Sequence, residues 1–396
     1  MQCGRPLLLR QPFAPDAFDQ VILGCVNVIA DEMNPARVAA LRLGMGETMT
    51  AFTVQINCGS GMQSIDTAYR YIRDGGSDLI LAGGAEALSH APLVFSHTAV
   101  AWYARMFGAR DLLSKLGALL ALRPSMFKPI IGLERGLTDP ITNLNMGQTA
   151  ELVGHLFRIS RRQADEYAAE SQQRLAKAQK ENVFADEIEP LFAKDGAVYD
   201  HDDGVRPDST ADSLAKLKPA FERPWGKVTP GNSSQITDGA SWVILASDDA
   251  VRRHKLTPKA VIVDSEWSAL DPSVMGLGPV FCSTEILKRH NYGLADVDIW
   301  ELNEAFAAQV LGCLAAWQDG EFCRNALGLP TAAGAIPRDR INVDGGAIGA
   351  GHPVGASGNR IVLHLVNAMH RLGFKRGIAT ECIGGGQGGA MLIEAI

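Results

Sequence analysis

The sequence predicts an α/β protein of two similar halves, with a partly helical insertion carried on the first. Three observations carry that expectation. Strand-like apolar runs alternate with helical spacing early in the chain, the same alternation returns near its end, and the stretch between follows neither pattern. The 396 residues, 46% apolar and 20% charged, are enough for a sizeable core and two or three domains.

In the first half, Val21–Val26 is a short apolar run, Asn34–Leu43 has helical spacing and Ala51–Ile56 is strand-like. A helix fits Met62–Asp74. Asp78–Ala82, followed by Gly83 and Gly84, reads as a buried strand ending in a turn. In the last part, Ala260–Ser265 reads as a strand, Ser283–His290 as a helix, and Asp298–Leu302 as a strand leading into a helix over Glu304–Leu314. A Gly-rich loop precedes a helix over Gly358–Leu372, and Gly377–Glu381 and Ala390–Glu394 are two strands joined by a Gly turn. The insertion runs roughly from Ser89 to Pro224 and holds amphipathic stretches at Ala99–Leu122 and Arg161–Glu181. Within it, Arg105, Arg110, Lys115, Arg123 and Lys128 are interleaved with apolar groups such as Trp102, Phe107 and Leu116–Leu122. That pattern first suits a helix pair over an active-site entrance; the alternative is a surface that meets a membrane or a partner subunit.

A net charge of −7 argues against nucleic-acid binding, although a local basic patch for a phosphorylated ligand is compatible with it. The seven cysteines are odd in number and form no C-x-x-C pair, so neither a disulfide framework nor a zinc site is expected, and no other metal is implied. They fit a reducing, cytoplasmic setting. Leu7–Leu9 is too short for a secretory apolar segment, and no run reaches membrane-spanning length.

Five blocks carry chemistry. Asn57-Cys58-Gly59-Ser60-Gly61 lies between a strand and a helix, where unpaired amides and the helix dipole favour a thiolate nucleophile. In Asn342-Val343-Asp344-Gly345-Gly346-Ala347-Ile348-Gly349-Ala350-Gly351-His352-Pro353-Val354-Gly355-Ala356-Ser357-Gly358, a Gly-rich loop places His352, a suitable base near neutral pH. Glu381-Cys382-Ile383-Gly384-Gly385-Gly386-Gln387-Gly388-Gly389 offers free amides that can hold an oxyanion. Glu301-Leu302-Asn303-Glu304-Ala305-Phe306-Ala307 ends a strand with an amide that can orient a water or a carbonyl. Gly231-Asn232-Ser233-Ser234-Gln235-Ile236-Thr237-Asp238-Gly239-Ala240 is small and polar, suited to a ligand channel. Singly, each block also fits a bland role: a core cysteine, a surface histidine, a hairpin turn, a helix cap at Asn303, a surface loop.

Taken together and in this order, the blocks resemble the thiolase family over nearly the whole chain. The resemblance implies a thiolase fold, with two βαβ halves in five layers, α-β-α-β-α. It implies a first half of residues 1–90 with 225–250, an inserted loop domain of 91–224 and a second half of 251–396. It further implies that Cys58 is the nucleophile forming an acyl-enzyme, that His352 activates it, and that Cys382 moves the proton at the α-carbon of the second acyl group. Asn303 would hold a water in one oxyanion hole, shared with His352, and the amides of Cys58 and Gly384 would form the other. Ser234 and Gly231 would line the coenzyme A pantetheine, and Met275 would lie beside the acyl pocket. Coenzyme A is then a substrate, and no bound cofactor is implied.

The resemblance implies acyl transfer between coenzyme A thioesters, cleaving 3-ketoacyl-CoA or condensing two acyl-CoA molecules, as in fatty-acid β-oxidation. It also implies a homodimer or homotetramer and admits a hydratase/dehydrogenase α subunit as partner. Two departures stand out. Met1–Gln20 is too short for the strand and helix that usually precede the strand matching Val21–Leu23: either the start of the sequence is truncated, or the protein does without that element, which would leave an outer strand position empty. The insertion is long, like that of the trifunctional-complex β subunit, though that type often has His where this chain has Asn303. Rival readings are a ketoacyl synthase-like enzyme, which Cys382 opposes, and an inactive scaffold, which the intact catalytic set opposes. Glu304 is expected to orient backbone, Cys313 and Cys323 to be structural, and His155, His201, His254, His364 and His370 to be surface or helix residues.

Overall fold

Val21-Ile22-Leu23 and Leu79-Ile80-Leu81-Ala82 are apolar at consecutive positions, as strands covered on both faces must be. In the computed structural model, which describes residues 1–396, they lie in β1 (Gln20–Gly24) and β3 (Leu79–Ala87). With β2 (Thr50–Val54) and β4 (Asp238–Ala246) they form a sheet in the order β2-β1-β3-β4, parallel except at β3–β4. A second sheet contains β5 (Ala260–Ala269), β6 (Ile299–Leu302), β7 (Arg376–Ile383) and β8 (Gln387–Ala395). Its order is β6-β7-β8-β5, parallel only at β6–β7. Each sheet thus leads from parallel strands into an antiparallel one. β8 has β5 on its far side, whereas β4 is the last strand of its sheet.

Alternation along the strands divides the side chains among three helix layers. Val21, Leu23, Leu79 and Leu81 face outward onto α1 (Gly4–Leu9) and α2 (Pro35–Arg42), where Leu8, Ala36 and Ala40 meet them. Ile22, Ile80 and Ala82 face inward onto α3 (Ser60–Arg73) and α10 (Val354–Leu372), which also cover Ala379, Met391 and Ile393 of the second sheet. The other face of that sheet, including Trp300 and Ile378, packs on α8 (Gly278–His290) and α9 (Ala307–Gln318). The result is the five-layer α-β-α-β-α arrangement. Trp300 and Trp317, both fully buried with ring centroids 5.6 Å apart, anchor the outer layer. Each such aromatic contributes roughly 3 kcal/mol or more of burial.

The insertion has two unlike parts. α6 (Met146–Leu156) and α7 (Arg161–Lys180) place Val153, Ala164, Tyr167 and Ala168 in the core of the second half, and a capping box at Ser160 and Gln163 starts α7. α4 (His97–Gly108) and α5 (Leu112–Leu120) pack on each other, with Trp102 Nε1 donating to the Ala118 carbonyl at 2.7 Å. Their outer faces stay bare: Phe107 is 84% exposed, Leu113 81% and Leu120 88%. No helix is long and apolar enough to cross a membrane.

Several sequence expectations shift. Gly83 and Gly84 do not end β3 in a turn; the strand runs through them to Ala87. A Cβ on Gly83 would collide with the Trp242 ring, and one on Gly84 with the Gly355 carbonyl, so these glycines serve close approach rather than a turn. The helix expected from Glu304 begins only at Ala307, because Phe306 is extended and bridges to Ser233. Asn303 is therefore not a helix cap. β4, which begins inside the Gly231–Ala240 block, went unread, since its polar start masks the Trp242-Val243-Ile244-Leu245 run.

Candidate active site

Cys58 stands two residues before α3 and His352 two residues before α10. The helices meet at their N-terminal ends, glycine against backbone. A Cβ on Gly61 would lie 2.6 Å from the Asn359 amide nitrogen, and one on Gly358 2.5 Å from that of Met62. That crossing sets the Cys58 and His352 loops at the meeting ends of the two helices, although 293 residues separate them in the sequence.

Asn57 takes the left-handed conformation (φ 46°), which Asn tolerates, and its Nδ2 donates to the Gly384 carbonyl at 2.8 Å. The turn after β7 is thereby fastened to the Cys58 loop, and the amides of Gly384 and of Cys58 itself face the Cys58 sulfur. A Cβ on Gly59 would sit 2.5 Å from Ile383 Cδ1, so the fit depends on glycine there too. Burial, followed by Glu381, pushes the Cys58 thiol up to about 12, and the two amides only partly oppose this. This corrects the expectation of a depressed thiol. A helix end is worth about 0.3–1 kcal/mol, whereas three pKa units correspond to about 4 kcal/mol. Cys58 is only half-buried, so water relieves part of that penalty, but the sign stands: the resting sulfur is a neutral thiol.

His352 is 8% exposed, and burial followed by Arg360 lowers its pKa to about 4, so the ring is neutral. Nδ1 lies 2.6 Å from Ser357 Oγ, which itself donates to the Pro353 carbonyl at 3.2 Å. Ser357 thus accepts the Nδ1 proton and leaves the lone pair on Nε2, which is buried without a partner. Asn303 Nδ2 is 3.5 Å from Nδ1, a contact between two donors rather than a bond, and Asn303 Oδ1 is also unpartnered. Glu304 anchors both segments: Tyr167 and Ser171 donate to it at 2.8 and 2.6 Å, Asn342 Nδ2 at 2.9 Å and the Ile348 amide at 3.2 Å. The backbone-orienting role expected for Glu304 is what these bonds describe.

Cys382 is fully buried in a cluster with Met275, Ala305 and Phe306, and Met146 packs against it. Burial raises its pKa well above the usual thiol range, and Cys58 is the next cause. The preceding residue, Glu381, has neither carboxyl oxygen hydrogen-bonded, and burial raises its pKa well above the usual carboxylate range. The small-residue block forms one wall. The Ser234 amide donates to the Ala305 carbonyl at 3.0 Å, and the His352 amide to the Gln235 carbonyl at 3.2 Å. Gly231 stands apart from the sulfurs: a Cβ there would lie 2.5 Å from Leu217 Cδ1. Cys313 and Cys323 are buried.

Comparison with known families decides the identity. Residues 2–249 match the model of the thiolase N-terminal domain, and residues 256–395 that of the thiolase C-terminal domain. The chain belongs to the thiolase family. It is 38% identical to a 3-oxoadipyl-CoA/3-oxo-5,6-dehydrosuberyl-CoA thiolase of Escherichia coli, over 99% of this chain and 92% of that protein. It is also 38% identical to a probable acetyl-CoA acyltransferase of Staphylococcus epidermidis, over 98% and 90%. Human mitochondrial 3-ketoacyl-CoA thiolase, solved in complex with CoA, superposes with a TM-score of 0.84 at 35% identity, over 99% of this chain and 90% of that one. This thiolase is therefore an acyltransferase with the thiolase fold, and its substrates are of the coenzyme A thioester class.

Sequence reading missed a groove of this thiolase where α6 meets the Glu222–Lys227 segment. Its volume is about 320 Å³, and it is lined among others by Gln148, His155, Arg223, Trp225 and Lys227. Trp225 is 91% exposed. The cluster Arg223-Pro224-Trp225-Gly226-Lys227 was the available signal. Met146, at the start of the same helix, reaches the other way: its sulfur would be 3.3 Å from a Cβ on Gly384.

Proposed function

We propose that Cys58 is the nucleophile, His352 its base and Cys382 the acid of carbon–carbon cleavage in a 3-ketoacyl-CoA, with the reverse steps in condensation. The observation that supports this reading is the close crossing of α3 and α10 just beyond Cys58 and His352, with the Gly384 amide facing the Cys58 sulfur. As Cys58 attacks the ketone carbon, its proton passes to His352 Nε2, a transfer suited to two groups that are both neutral at rest. The bond from that carbon to the α-carbon then breaks, leaving an acyl group on Cys58 and an enolate of acetyl-CoA. Cys382 protonates the enolate, and its proton is restored from the thiol of incoming coenzyme A; the resulting sulfur anion takes the acyl group, and the Cys58 thiolate that leaves recovers its proton from His352. Amides of Cys58 and Gly384 serve one oxygen charge, and Asn303 with His352 the other, each worth about a hundredfold or more.

Ser234, Gly231 and Met275 are read as lining the pantetheine and acyl ends. The groove at Trp225 is read as taking the nucleotide end, with the adenine on the indole and the phosphates near Arg223 and Lys227. No cofactor beyond substrate coenzyme A enters this scheme, which is placed in the cytoplasm and in fatty-acid β-oxidation. The domain boundaries at residues 90, 225 and 250 belong to the same reading. The test is acetyl-CoA release from acetoacetyl-CoA plus coenzyme A. Cys58→Ala should lower it about ten-thousandfold; turnover at the normal rate would refute the assignment.

For partners, the proposal is a homodimer or homotetramer, open to a hydratase/dehydrogenase subunit, with the bare face of α5 lying on an anionic membrane. Residues 91–133 hold five Lys or Arg and one Asp in a chain of net charge −7, which favours an anionic surface over self-pairing. Flotation with phosphatidylglycerol vesicles should be lost in Leu113→Asp/Leu120→Asp. Equal flotation of that variant would remove the membrane from the scheme.

A further inference from the structure

His364, expected as a surface or helix residue, lies on helix α10 but is only 2% exposed and sits among three carboxyl groups. Its Nδ1 is 3.0 Å from each oxygen of Glu187, and its Nε2 is 3.3 Å from Asp344 Oδ2 and 3.8 Å from Glu301 Oε1. The carboxyl side chains are themselves nearly dry, at 8%, 9% and 2% exposed. The ring of Phe184 closes over the imidazole at 5.4 Å. Acidic groups gathered at such depth need a cation. Burial alone lowers the pKa of His364, but Glu301, Glu187 and Asp344 more than reverse this and raise it to about 10, so the ring is an imidazolium at neutral pH.

The three carboxyls come from the three segments that must stay in register. Glu187 follows α7 within the insertion. Glu301 is two residues before Asn303 on β6, and Asp344 opens the Gly-rich loop that ends at His352. Further charged neighbours are Arg371, paired with Asp344, and Arg360, which faces Glu301, both on α10 itself, and Glu304, which also raises Glu301. Asp202 faces Arg360 and Glu187. Burial raises Glu301 to about 7 against the pull of His364 and Arg360, so that carboxyl is the cluster's group closest to changing charge near neutrality.

We propose that His364 is a positioning residue for the thiolase reaction: drawing Glu187, Glu301 and Asp344 around one buried ring, it holds the strand that presents Asn303 and the loop that presents His352 in fixed relation. The ring touches neither substrate nor the reacting sulfurs. The inference rests on the roles given above to His352 and Asn303.

The experiment compares His364→Gln and Glu187→Gln with the parent enzyme and Cys58→Ala, reading kcat, KM and the kcat–pH profile. His364→Gln is expected to lower kcat about tenfold to a hundredfold, the cost of a misplaced catalytic group, with KM for acetoacetyl-CoA within about twofold. Without its cation, Glu301 titrates higher, so the acid limb of kcat moves to higher pH. Glu187→Gln loosens the same ring but removes an anion and keeps the cation, so it should lower kcat by less and move the acid limb slightly to lower pH; its kcat decides the matter if His364→Gln does not fold. Lower thermal stability with parental kcat and pH profile in the folded variants would make the cluster merely structural and overturn the proposal. Cys58→Ala keeps the two readings apart, since turnover by that variant would instead sink the site assignment.

Discussion

The two halves deliver their reactive groups by the same device and bury them unequally. Each places its group two residues ahead of a helix whose first turn is glycine-faced, yet Cys58 keeps some access to solvent while His352, Asn303 and Cys382 are enclosed. The difference teaches which group must be reached and which must be dry. In the proposed scheme the nucleophile meets an incoming thioester and stands at the opening. The base, the proton carrier and the oxyanion donors of that scheme act on charge that exists only during reaction, and such groups are strongest where water is excluded.

The largest expected effect that tests this division, after loss of Cys58 itself, is at Cys382. Cys382→Ala should slow carbon–carbon cleavage by about a hundredfold to ten-thousandfold, while Cys58 still takes an acyl group from acetyl-CoA, as seen by mass of the intact protein. Loss of both steps would mean that the sulfurs do not have separate tasks. Next is the pH dependence of Cys58 alkylation by iodoacetamide. A thiol raised to about 12 is neutral below that pH, and its thiolate fraction grows tenfold per unit. The rate should therefore rise about a hundredfold over two pH units above neutrality. A plateau near pH 7 would show a resting ion pair and erase the contrast drawn here. The smallest effect belongs to Ser357→Ala, which removes the acceptor that fixes the His352 tautomer. At roughly 1 kcal/mol for a hydrogen bond, kcat should fall about fivefold, and an unchanged kcat would leave the tautomer to other neighbours.

Much of the molecule was legible in one dimension, and the exceptions share a cause. The five chemical blocks could be read because each concentrates its signal in consecutive residues, and strands such as Val21-Ile22-Leu23 because apolar runs survive without context. Gly83 and Gly84 misled because a glycine that makes room for Trp242 looks the same as one that makes a turn. The depressed thiol expected for Cys58 misled because burial is a property of the packed molecule, and here it outweighs the helix end. His364 was invisible for the same reason: Glu187 lies 177 positions away, and nothing near residue 364 announces it.

The crossing at Gly61 and Gly358 has a consequence for how such a molecule can change. Where main chain rests on main chain there is no side chain to trim or enlarge, so the spacing between sulfur and imidazole is set by atomic radii that substitution cannot tune. Variation in what the enzyme accepts must then come from surrounding parts that can be reshaped, such as the Trp225 groove and the inserted helices, while the reacting pair stays at a constant gauge.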